Sequence, residues 1–119
     1  MGHLLVHITH GPESPTRAAL GLLVAKAAVA EGHEVSVFLA GDAVALIRRP
    51  VLDNLTGLGT GALGESWSGI AGKATIYLSG MSSKVRGVTE DDLAESGASF
   101  AMPDRLVQLT FEADRVLTY

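Results

Sequence analysis

The chain has 119 residues, 47% of them hydrophobic and 18% charged, with a formal net charge of -4 and no cysteine. That length suits one domain spanning residues 1–119, and that composition can build a core, so two domains and disorder are both excluded. Nine scattered Lys and Arg in an acidic chain argue against nucleic acid, and the lack of cysteine removes disulfides, thiolate zinc sites and any cysteine nucleophile.

Leu4 to Ile8 is a short apolar run closed by Thr9-His10-Gly11-Pro12, the pattern of a buried strand ending in a loop. The residues before it carry no positive charge and the run soon meets His7, Thr9 and His10, so no signal peptide is expected and the cytoplasm is the default setting. Ser14-Pro15 then caps and opens a helix over about 15 to 31, with Gly32 placed for a left-handed C-terminal cap. Its body, Ala18 to Ala30, is apolar nearly all round, which implies a second partner surface beyond the sheet. At about 13 residues it falls short of the roughly 20 that span a bilayer, so no membrane partner is expected.

Glu34 to Ala40 reads as the second strand, and Asp42 as the cap of a short helix from Ala43 to Arg48 that Pro50 stops. Val51 to Leu55 is a weak strand or a loop, and the Gly-rich stretch Leu58 to Ile70, with its lone Trp67, is irregular or a short helix. Trp67 is expected to plug a subunit contact, because exposed indole surface is costly. Ala74 to Leu78 is the next strand, Thr89 opens a capped helix that ends at Gly97, Pro103 opens a last helix to about Ala113, and Arg115 to Thr118 is a final strand. Met102 cannot cap the helix that it precedes. Strands alternating with helices predict a three-layer α/β/α sandwich around a five-stranded, mostly parallel sheet, with its site at the strands' carboxyl ends.

Three small, polar, Gly-bearing loops meet at that edge. They supply Thr9, His10, Gly11 and Glu13, then Gly41 and Asp42, then Ser79, Gly80, Met81, Ser82 and Lys84. Ser79 is the central group of the candidate site, with Gly80 to Ser82 as anion donors, Lys84 or Arg86 as a charge, and His10 and Glu13 as proton-transfer groups. Turn chemistry alone also explains these residues.

Four segments, Thr9 to Ala18, Gly32 to Val44, Tyr77 to Gly87 and Ala113 to Tyr119, together resemble a small DsrE-like protein. The resemblance implies the same α/β/α sandwich, assembly into homo-trimers or hexamers, a sulfur-relay partner protein, and in active members a cysteine persulfide after the fourth strand. Ser79 stands where that cysteine would fall, and a hydroxyl cannot form a persulfide. The expected function is therefore a non-redox binding or accessory protein with a small-ligand or anion site and no cofactor. The alternatives are an enzyme using Ser79 with His10 as base, and a structural subunit of a hetero-oligomeric relay complex.

Other signals carry less. Gly59-Thr60-Gly61-Ala62-Leu63-Gly64 matches the dinucleotide fingerprint in form but lacks its preceding strand and its later acid. Tyr77 and Met81 occupy the glycine places of a nucleophile elbow around Ser79. His3 and His7 share a strand face without a third ligand, so no metal site is expected and His7 reads as packed or interfacial.

Overall fold

A computed structural model describes residues 1–119. Strand β1 (His3–Ile8) leads to helix α1 (Pro15–Ala30), which Pro15 enters in the first turn and which Gly32, at φ +89°, leads out of. Strand β2 (Glu34–Leu39) is followed by a 3-10 helix over Gly41–Ile47 and by α2 (Arg49–Asn54). A small antiparallel hairpin, β3 (Thr56–Gly57) with β4 (Gly61–Ala62), precedes α3 (Leu63–Ile70). Then come β5 (Thr75–Ser79), α4 (Gly80–Val85), α5 (Glu90–Leu93), β6 (Ser99–Ala101), α6 (Pro103–Glu112) and β7 (Arg115–Thr118).

Several local expectations change. Pro50 does not stop a helix but sits in the first turn of α2, so Val51 to Asn54 is helical where a weak strand or a loop over Val51 to Leu55 was expected, and Leu55 is its extended C-cap. The fifth strand of the sheet is instead Ser99–Ala101, too short to show an alternating pattern. The Gly-rich stretch is the tip of the hairpin and all of α3, so the fingerprint-like run lies outside any strand-to-helix turn of the main sheet. Asp42 does not cap the short helix; Ala40 holds that position, and the Asp42 carboxylate is taken by Arg86. Thr89 does open a capped turn, its N–H donating to Asp92 Oδ2, but that helix ends at Leu93 rather than Gly97.

The five main strands lie in the order β6-β5-β2-β1-β7, and every neighbouring pair is parallel. From β1 through β2 and β5 to β6 the chain moves in one direction across the sheet, and right-handed crossovers then put all the intervening helices on one face. The step from β6 back to β7 reverses direction and leaves α6 alone on the other face. The two cores differ accordingly: a large cluster joins Val6, Ile8, Val37, Leu39 and Leu78 to Leu22, Leu46 and Trp67, whereas the α6 face holds only Leu5, Phe38 and Leu109 fully buried. On that thin face Arg105 reaches down from α6, its guanidinium carbon 5.4 Å from the Tyr77 ring centroid and its Nη2 donating to the Tyr77 hydroxyl at 3.2 Å.

Two expectations about packing are answered within the chain. Helix α1 is apolar on two sides because α3 packs across its flank and joins the core between α1 and the sheet, while Leu20 and Ala27 stay exposed on its outer side. Gly69 admits the Lys26 stem at that crossing, where a Cβ would lie 2.7 Å from Lys26 Cγ. Trp67 belongs to that same core and is 6% exposed, which corrects the expectation that it plugs a subunit contact. The Met102 side chain caps nothing, as expected, and the Arg105 N–H is shared between the Met102 carbonyl at 3.0 Å and Asp104 Oδ1 at 2.9 Å.

Candidate functional site

The loops after β1, β2 and β5 meet at the carboxyl edge of the sheet, and specific contacts hold them together. Gly11 lies so close to the Asp42 carbonyl that a Cβ there would collide with it, so only glycine lets the first two loops touch. Gly41, at φ +58°, donates its N–H to the Ser82 hydroxyl at 2.9 Å, which ties the second loop to the third. Glu13 is held in its own loop, where Oε1 accepts the Gly11 N–H at 2.7 Å. Gly80 opens α4 beside β6, a Cβ on it falling 3.3 Å from Met102 Sδ, while Met81 and Lys84 project outward.

Ser79 is the N-cap of α4, and its Oγ accepts the Ser82 N–H at 3.2 Å. No imidazole or carboxylate is hydrogen-bonded to it, so the base required by a serine nucleophile is not at hand. His10 is turned elsewhere. Arg17 Nη1 donates to His10 Nε2 at 3.4 Å, and because Arg only donates, the neutral ring carries its proton on Nδ1, which lies 3.5 Å from Thr9 Oγ1. Thr9 passes the chain on, its hydroxyl donating to the main-chain oxygen of Tyr119 at 3.1 Å and its N–H to the same oxygen at 2.8 Å. The lone pair that would accept a proton therefore faces a guanidinium. The fold places Ser79 and His10 at the same edge of the sheet with no hydrogen bond between them.

Two arginines complete the edge. Arg86 binds Asp42 Oδ1 through Nε at 3.2 Å and Nη2 at 3.0 Å, and donates to the Ser82 carbonyl through Nη1 at 3.1 Å. Arg48 donates to the Arg86 carbonyl at 2.8 Å and has no carboxylate within ion-pair distance. With Pro12, Glu13, Asp42 and Ala45 they line a cavity of about 410 Å³. Ser79 and His10 are not part of its wall. Arg48 had no mark in the sequence beyond ending a short helix, and only the crossing of the 3-10 helix over the first loop brings it here.

The family model of the DsrE/DsrF-like family matches residues 3–119. The chain belongs to this family. The YchN protein from E. coli has a solved structure similar to this one, with a TM-score of 0.80 and 20% identity over 100% of both chains. The DsrE/DsrF-like chain is also similar to MTH1491 from Methanobacterium thermoautotrophicum, a protein of unknown function, with a TM-score of 0.69 and 16% identity over 100% of both chains. At such identities the likeness shows the fold: the five-stranded parallel sheet with helices on both faces. No curated protein matches the sequence. No helix of this family member is long and apolar enough to cross a membrane.

Proposed function

We propose that this DsrE/DsrF-like chain is a single-domain, cytoplasmic, non-redox accessory protein related to sulfur transfer, which binds a small anion at the carboxyl ends of its strands. The observation that carries the reading is the state of Ser79. At the place where the resemblance puts a persulfide cysteine stands a hydroxyl, and its oxygen serves as a helix cap without a base beside it. Neither sulfur carriage nor serine nucleophilic chemistry is favoured there.

An anionic guest is supported by charge. Arg17, Arg48 and Lys84 lie at this edge without a carboxylate partner, and the Arg48 guanidinium opens on the cavity beside Pro12. Association with further copies of the chain, as a trimer or hexamer, is supported by the thin face of the sheet, where Val107, Phe111 and Val116 remain exposed around α6 and β7. The same face would serve a sulfur-relay partner protein if the chain is a structural subunit.

Calorimetric titration with thiosulfate tests the site. Saturable binding is expected, and Arg48→Gln should abolish it. Absence of binding to the wild type, or binding unchanged in Arg48→Gln, would overturn the anion site.

A further inference from the structure

A larger cavity, of about 510 Å³, opens among α2, α3 and α5, and shares no lining residue with the strand-end cavity. Its size lies within the roughly 300 to 1,000 Å³ of small-molecule sites. Leu52 and Trp67 form part of an apolar wall, and Asp91, Asp92 and Glu95 bring carboxylates to it. Trp67 is 6% exposed, and no protein atom accepts its indole N–H. The buried side-chain polar atoms sealed from solvent without a partner are His7 Nε2 and Ser83 Oγ, so the indole nitrogen is not sealed, and Trp67 lines this cavity.

The carboxylates are unevenly committed. Asp92 accepts the Thr89 N–H at 2.9 Å, and the one cation in the wall, Arg49, is paired with Asp53 at 3.5 Å. Asp91 and Glu95 have no cationic partner. We propose that this cavity binds a small organic cation, an amine or guanidinium that carries a carbonyl. The free carboxylates take the charge, the apolar wall takes the stem, and the indole N–H, which has no acceptor in the protein, takes the carbonyl oxygen. The excess of acid excludes the anions proposed for the strand ends, so the two sites stand or fall separately.

Trp67 is the sole tryptophan, so its fluorescence reports on this cavity directly. Titration with argininamide should give a saturable change, and the double variant Asp91→Asn with Glu95→Gln, both exposed in the fold, should weaken it by about fivefold or more. Agmatine, which keeps the guanidinium and lacks the carbonyl, should bind more weakly than argininamide. By calorimetry, Trp67→Phe should weaken argininamide and leave agmatine unchanged. No saturable change up to about 10 mM, or an unaltered affinity in the double variant, overturns the cation site. Equal affinity for the two probes overturns the role given to the indole.

Discussion

The Gly41 N–H donates to the Ser82 hydroxyl at 2.9 Å, and this bond joins the loop after β2 to the first turn after β5. The neighbouring Ser83 is 1% exposed and its hydroxyl has no partner at all. Adjacent serines therefore predict opposite outcomes. Ser82→Ala strands the Gly41 N–H and should cost about 1–2 kcal/mol, visible as a fall of several degrees in Tm. Ser83→Ala removes an unsatisfied buried group and should leave Tm unchanged or raised. Thermal unfolding of the two variants decides, and a larger loss for Ser83→Ala would refute the assignment.

His7 sets an acid limit on stability. Its ring stands edge-on to Phe38 with centroids 6.0 Å apart, Nε2 is buried without a partner, and burial holds its pKa below the ordinary 6.5. The unfolded chain therefore binds the proton more readily than the folded one in the window below pH 6.5. Stability from this group is complete above that pH and falls as pH drops toward the lowered folded value, below which it stays flat. Urea midpoints for wild type and His7→Leu should converge in their pH dependence at neutral pH and diverge as pH falls below the ordinary 6.5, with the wild type losing more.

Ser79→Cys tests the relation of this position to sulfur transfer. A thiol there accepts the outer sulfur of a small-molecule persulfide, whose own sulfur leaves as a thiol, and intact mass should show one added sulfur atom that a reductant removes. The wild type should gain none. An inert Ser79→Cys protein that is correctly folded would separate this edge from the family's sulfur chemistry.

Phe111 is 86% exposed on α6. If the thin face of the sheet is where copies meet, Phe111→Asp should shift the protein to monomer in sedimentation velocity with little change in Tm, because the side chain contributes almost nothing to its own chain's core. A wild type that sediments as a monomer would sink the assembly reading.

Much of this protein is legible in short windows of sequence. The apolar runs Leu4 to Ile8 and Ala74 to Leu78 announce buried parallel strands, Pro15 and Gly32 bracket α1, and the loops at 9–14, 41–42 and 79–84 are recognisable as lying at the strands' carboxyl ends, because burial period, caps and turns depend on residues a few positions apart. What failed locally was short or ambiguous: three residues of β6, and a Pro50 that could either end one helix or begin another. Only the tertiary structure decided that α3 packs across the flank of α1, that Ser79 gives its oxygen to the Ser82 N–H, that His10 faces Arg17, and that Arg48 shares a cavity with Pro12 and Glu13. Except for the Ser79 cap and the His10–Arg17 contact, these relations join residues well apart in the chain. Strand register and the direction of each crossover set them, and neither leaves a local mark in the sequence.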